Sequence, residues 1–220
     1  MWVESINRRQ SMVRNCLQLG AKVLSVALVL MSGSLGAALA QRSPVPIVDV
    51  HVHIMPDRDN RFESSIITAL AMMDRFGVAR ILTMSPPRTS TARLNFKYTD
   101  FKTALAQHPD RFSFLAGGGS LNHTVHGIAA GDVTEEAKRQ FTVSARKAIA
   151  DGAVGFGEIG SLHVSLTDRH KYSYAPPDHP LLLLLADIAA AEDVPIDLHM
   201  DAVEQEMDTP PRLVQYPNNP

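Results

Sequence analysis

The sequence predicts an α/β fold in which about five βα units build a parallel sheet. Short apolar runs alternate with longer segments of helical periodicity, a rhythm that is typical of parallel strands joined by helices. Three of these runs end in histidine or glutamate, and parallel strands bring such ends to one edge of a sheet. Removing a signal-like segment of 40 residues from the 220 leaves 180, which suits one domain.

The first predicted unit is a strand over Ile47–His53 followed by a helix over Ser64–Phe76. The strand is nearly all apolar before its histidines, which indicates burial on both faces. Apolar residues in the helix recur at three- and four-residue steps, and Gly77 can end it.

The second unit has a strand over Arg80–Met84, which Pro86 and Pro87 stop, and a short helix over Thr99–Gln107 with Thr99 as a plausible N-cap. The third unit has a strand over Phe112–Ala116, which opens into three glycines. A helix over Thr134–Asp151 follows, because threonine suits its first cap and glycine comes directly after it.

The fourth predicted strand is Ala153–Glu158, and the fifth is Val194–His199 after a leucine-rich helix over Pro180–Ala191. The segment Ser161–His179 is predicted to be a long loop, and loops of this length in compact domains are often lids or binding elements.

Gly155–Gly160 matches the glycine pattern of dinucleotide-binding loops letter for letter. Such a loop must open a helix whose N-terminus faces the pyrophosphate, and the residues that follow do not read as a helix. We therefore predict no nucleotide cofactor.

His51 and His53 are the most informative pair of residues. Two positions apart on a strand, they share a face with Cβ atoms roughly 6.5–7 Å apart, so both rings can reach one ion at about 2.0–2.1 Å. Glu158 and His199 end two later strands and complete a predicted metal-ligand set. Asp49 shares the face of the histidines and could orient an imidazole or be a structural polar residue.

Four further polar residues are weaker candidates. Asp197 and Asp201 share a strand face with the last predicted ligand, and Asp201 could act as a weak proton acceptor. Arg169 or Lys171 in the long loop could hold a substrate carboxylate, although a solvated loop is the simpler interpretation. We assign no catalytic residue.

Composition limits the chemistry. Cys16 is the only cysteine and falls in the signal-like segment, so a metal site in the mature chain must use histidine and carboxylate. That set suits zinc, with manganese or iron as alternatives.

The formal charge of the whole sequence is −2. Residues 41–220 hold 17 of the 21 basic and 22 of the 23 acidic residues, a balance of −5. This charge predicts no nucleic-acid partner.

Residues 1–40 resemble an export signal. Four basic residues precede the apolar stretch Val23–Leu30, and Ala38–Ala40 fits a cleavage site that leaves Gln41 as the new N-terminus. An uncleaved membrane anchor is the alternative, and Arg8–Arg9 fits twin-arginine export poorly. We expect a periplasmic or secreted protein without stable membrane association after cleavage.

Several segments together resemble the amidohydrolase superfamily. Asp49–His53 resembles its first-strand motif, Gly157–Gly160 the fourth-strand carboxylate segment of TatD-type members, and Leu198–His199 the fifth-strand histidine. Pro109–Phe112 resembles the segment before the third strand in the amidohydrolase-related branch. The resemblance spans about residues 46–200.

The resemblance implies a metal-dependent hydrolase on a TIM (β/α)8 barrel. A complete barrel typically needs about 250 residues, so we expect residues 41–220 to form a partial barrel, the N-terminal part of a C-terminally truncated member. One or two divalent metals would be held by His51, His53, Glu158 and His199. Metal-activated water would attack an amide, ester, lactone or similar bond in a small-molecule substrate.

The family's further histidine on strand six and aspartate on strand eight have no counterpart in this sequence. Two alternatives therefore stay open: a metal-dependent decarboxylase of the same barrel family, and a non-catalytic, truncated metal-binding remnant. An exposed sheet edge would favour oligomers in the second case.

Overall fold

The structure, a computed structural model, describes residues 45–88, 96–167, 171–201, 208–216 and 219. The predicted signal segment and Arg169 lie outside these residues. Within the described part of the chain, no helix is both long enough and apolar enough to cross a bilayer.

Strands and helices mostly alternate along the described residues. The strands are β1 (Ile47–Val52), β2 (Val78–Thr83), β3 (Phe112–Phe114), β4 (Ala116–Gly117), β5 (Phe156–His163), β6 (Ser173–Tyr174) and β7 (Ile196–Met200). The helices are α1 (Glu63–Phe76), α2 (Tyr98–Leu105), α3 (Leu121–Gly127), α4 (Glu135–Ala150), α5 (Pro180–Glu192) and α6 (Pro211–Val214), with a 3-10 turn at Ala130–Asp132.

The strands form two sheets. The first has the order β1-β2-β3 and is parallel throughout. In the second, β5 pairs in parallel with β4 and β7 and antiparallel with β6. The predicted α/β class is confirmed, and the strands described here do not close into a barrel.

Local sequence explains why the predicted helices form. In α1, Ile66 and Met73 are buried on one face, and Gly77 ends the helix with a left-handed φ of 72°. In α4, the Thr134 side chain accepts a hydrogen bond from the Ala137 N–H at 3.1 Å, as expected of an N-cap. These two helices lie within about two residues of their predicted bounds.

Two apolar cores hold the layers together. One packs β1–β3 against α1 and α2 around Phe101 and Phe112, and the other packs β5 against α3–α5 around Phe156, Leu181 and Leu185. Each fully buried side chain of this size contributes about 1.5–3 kcal/mol. The cores lie between helices and strands, so they fix the strands that carry the candidate ligands.

The predicted end of the fourth strand at Glu158 is wrong, since β5 continues to His163. Partners on both sides extend it. Leu162 pairs with Tyr174 of β6 on one side and with Met200 of β7 on the other. The predicted loop therefore begins later than expected, and His163 belongs to the sheet.

The prediction that the first strand is buried on both faces is also wrong. Ile47, Val48 and Val50 are each about half exposed, Val50 at 57%. Among the described strands β1 pairs only with β2, so its other edge is uncovered. The apolar run therefore reflects β propensity and not burial.

Candidate metal centre

His51 and His53 stand at the C-terminal end of β1 and share one face of it. Their ring centroids lie 5.1 Å apart in an edge-to-face arrangement. The backbone between them is fixed, because the Val52 carbonyl accepts hydrogen bonds from the Met84 N–H and the Thr83 hydroxyl, both at 3.0 Å. The pairing of β1 with the end of β2 thus sets the position of both imidazoles.

The Glu158 carboxylate faces both imidazoles from β5 and is only 3% exposed. Its Oε2 lies 3.0 Å from His53 Nε2 and 3.9 Å from His51 Nε2. One ligand atom from each of the three residues lies within 4.8 Å of the other two. Ligands of a tetrahedral zinc ion stand roughly 3.3 Å apart, so these three residues can hold a metal ion.

Acceptors outside the cluster orient both histidines. His53 Nδ1–H donates to the Met84 carbonyl at 3.0 Å, and His51 Nδ1–H donates to Asp197 Oδ2 at 3.0 Å. Both Nε2 atoms are therefore directed toward Glu158. Metal-binding histidines commonly donate their second N–H in this way, which fixes the tautomer and ring orientation.

Asp197 orients the His51 imidazole, a role that the sequence suggests for Asp49. The Asp49 carboxylate accepts a hydrogen bond from the His51 backbone N–H at 3.3 Å instead of from an imidazole. Asp197 can come close because Gly157 has no side chain, and a Cβ there would lie 2.9 Å from the Asp197 Cβ. The glycine before Glu158 therefore brings β7 close enough to orient a ligand on β1.

The protonation of the cluster follows from burial and pairing. Burial opposes ionisation of Glu158, but hydrogen bonds to His53 and His199 outweigh burial and lower the pKa of its carboxyl group. Burial acts to lower the pKa of His53, yet Glu158 and the Met84 carbonyl raise it above the usual value. A proton on His53 Nε2 and a divalent cation would thus compete for one lone pair.

His199 contacts the same carboxylate from the other side. Its Nδ1 hydrogen-bonds Glu158 Oε1, while its Nε2 lies 3.1 Å from His163 Nδ1. The structure therefore brings His51, His53 and Glu158 into one group. It places His199 beside them in a second group, with His163 and Asp201.

The sequence pattern does not single out His163, and it marks Asp197 and Asp201 only as weak candidates. The alternation Asp-x-His-x-Asp over residues 197–201 could have indicated a polar face on β7. This alternation agrees with the exposure of β7, because the intervening Leu198 and Met200 point outward and are about half exposed. Strict alternation would place His163 and Glu158 on opposite faces of β5. Register shifts in the pairing of β5 with β7 break that alternation, so the sequence alone gives no signal for His163.

Two further histidines among the described residues, His179 and His126, have structural partners. His179 is 2% exposed and caps α5, where its Nδ1 accepts from the Leu181 N–H at 3.2 Å. Its Nε2–H donates to the Ile128 carbonyl at 2.9 Å. His126 donates to the Gly160 carbonyl at 2.9 Å. These bonds account for both imidazoles without a ligand.

The amino-acid sequence matches no protein-family model and no curated protein. The resemblance to the amidohydrolase superfamily therefore rests on the motifs themselves.

Proposed function

We propose that this chain is a metal-dependent hydrolase of the amidohydrolase type. The observation that carries the proposal is the convergence of His51 Nε2, His53 Nε2 and Glu158 Oε2 on one point, with both outer imidazole nitrogens already bonded. A buried carboxylate between two oriented imidazoles is costly unless it binds a proton or a cation. This donor set suits a catalytic metal better than a packing role.

Strand order supports a partial (β/α)8 barrel. Only Leu115 separates β3 from β4, and its N–H donates to the Thr83 carbonyl at 3.0 Å. The two short strands thus act as one, which pairs with β2 first and with β5 afterwards. The parallel strands then follow in chain order as β1, β2, the joined β3 and β4, β5 and β7, as in the first five units of such a barrel. The short antiparallel β6 is an addition to this order. The candidate ligands come from three of these strands, as sites in this fold do.

Two histidines and one carboxylate form the protein ligand set of many catalytic zinc sites, which keep a further position open. A divalent cation there would supply Lewis acidity, lowering the pKa of bound water to about 7 and polarising a substrate carbonyl. We propose zinc, with manganese or iron as alternatives.

The chain's own residues set the conditions for this chemistry. Met84 and Asp197 hold His53 and His51 in the tautomer that offers Nε2. Glu158 brings the negative charge and is shielded from water. The proposed substrates are small molecules with an amide, ester or lactone bond, met outside the cytoplasm if residues 1–40 direct export.

The proposal can be tested on zinc-loaded protein with a panel of small esters, lactones and anilides. We expect the variant with both His51→Ala and His53→Ala to lose bound zinc and to hydrolyse at least about 100-fold more slowly, because several kcal/mol of transition-state stabilisation are removed. His108→Ala is the matched control, since His108 packs on Phe112 in the loop before β3.

Metal content and turnover together decide the outcome. Turnover that persists in the double variant, or a wild-type chain that binds no divalent metal, contradicts a hydrolase centre here. Release of carbon dioxide from carboxylate substrates without hydrolysis of the panel would favour the lyase alternative instead.

A further inference from the structure

We propose that His163, His199 and Asp201 form a second divalent-cation site, next to the first and joined to it through Glu158. This site goes beyond the hydrolase centre proposed above and can be tested separately. One ligand atom from each residue lies within 4.8 Å of the other two.

The three ligand atoms are spaced as in a metal site. His163 Nδ1 lies 3.1 Å from His199 Nε2 and 3.5 Å from an Asp201 oxygen, and His199 Nε2 lies 3.9 Å from the other oxygen. These separations bracket the roughly 3.3 Å between ligands of a tetrahedral ion. A cation would replace the proton that the two imidazoles share.

The pairing of β5 with β7 builds this site. The Asp201 N–H donates to the Leu162 carbonyl at 2.9 Å, and Asp201 Oδ2 accepts from the Val164 N–H at 2.6 Å. His163 lies between those two backbone contacts. Both the backbone and the carboxylate of Asp201 are thus fixed against the strand that carries His163, so the geometry does not depend on a mobile surface side chain.

Glu158 connects the two groups of residues. Its Oε1 accepts from His199 Nδ1, which leaves His199 Nε2 for the second group, while its Oε2 faces His51 and His53. The carboxylate is thus a ligand of the first site and an outer acceptor for the second. Metal-binding histidines commonly have such a carboxylate partner.

The test measures bound zinc per full-length chain after dialysis, with folding followed by circular dichroism. We expect about two equivalents for the wild type and about one each for Asp201→Asn, His163→Ala and the double His51→Ala, His53→Ala variant. Asp187→Asn, an exposed position on α5, removes the same charge elsewhere and should keep about two.

Asp201→Asn separates a ligand from a structural residue. Asparagine keeps the size of the side chain and an oxygen that can accept the Val164 N–H, yet it is a poor zinc ligand. If His163→Ala fails to fold, this variant alone decides. Full zinc content in folded Asp201→Asn overturns the second site.

Other outcomes distinguish the two proposals. A single equivalent that disappears in the His51/His53 variant and persists in Asp201→Asn and His163→Ala overturns the second site and keeps the first. The reverse pattern supports the second site and overturns the hydrolase centre. A single equivalent lost in every ligand variant indicates one shared ion and overturns the second site.

Discussion

At the scale of single residues, the hydrogen bond made by the outer ring nitrogen of a candidate histidine ligand matters as much as the ligand atom itself. Asp197 receives the His51 Nδ1–H at 3.0 Å and is about a quarter exposed, so its carboxylate is partly shielded from water. Its charge favours the imidazole orientation in which Nε2 faces Glu158. Removing that charge should weaken metal binding without removing a ligand.

We predict that Asp197→Asn lowers the affinity for zinc about 10- to 100-fold while the fold is retained. Competition against a chelator measures the change. Asp49→Asn is the control, because the Asp49 carboxylate bonds to the backbone of His51 instead of its ring. Equal affinity in Asp197→Asn and wild type, or an equal loss in the control, would contradict an orienting role.

At the scale of elements, one carboxylate ties the start of α2 to the end of α4. Asp151 lies next to Lys147 and Lys102, at 2.9 and 3.1 Å, and accepts the Tyr98 hydroxyl at 2.9 Å. Lys147, then Tyr98 and Lys102, lower the pKa of Asp151 to about 2. Burial and the same bond raise the pKa of Tyr98 to about 12.

This contact predicts a pH-dependent stability. The pKa of Asp151 is depressed on folding, so its contribution is present above the ordinary value of 3.8 and is lost as pH falls toward about 2. Asp151→Asn should therefore unfold more easily than wild type at pH 7, with the difference shrinking below about pH 4.

Urea unfolding at neutral and acid pH checks this expectation, with Asp187→Asn as the control for an exposed aspartate on a helix. A difference between Asp151→Asn and wild type that stays constant down to pH 2 would show that the ion pairs do not stabilise the fold.

The helices and strands also show which features can be predicted from the sequence and which cannot. Helices α1 and α4 were predictable because apolar period and caps are local properties. The pairing of His51 with His53 follows from strand alternation in the same way. The extension of β5 to His163 and the place of His199 depend on register between distant strands, which a single sequence does not encode locally.

At the scale of the whole molecule, the two outermost parallel strands leave apolar surface uncovered. Val50 on β1 and Leu198 on β7 are 57% and 50% exposed. Each of these strands pairs on one side only among the described strands. Such edges carry unpaired backbone groups beside apolar side chains, which favours association.

We predict that the purified protein self-associates as its concentration rises, and that Val50→Lys with Leu198→Lys shifts it toward monomer. Both positions point away from the faces that carry the ligands, so metal binding should persist. Analytical ultracentrifugation measures the change. Leu183→Lys on α5, 53% exposed but not on a strand edge, is the control. A wild type that stays monomeric when concentrated would contradict this prediction.

β7 carries Asp197 and His199, and Asp201 follows it directly. Among the described strands, β7 is held to the sheet by β5 alone. An outer strand is often the first part of a sheet to open. Such an opening would withdraw the orienting aspartate of one histidine together with two of the candidate ligands. Cation binding and the pairing of β7 with β5 are therefore thermodynamically linked. A cation that binds here also stabilises the paired state of this strand.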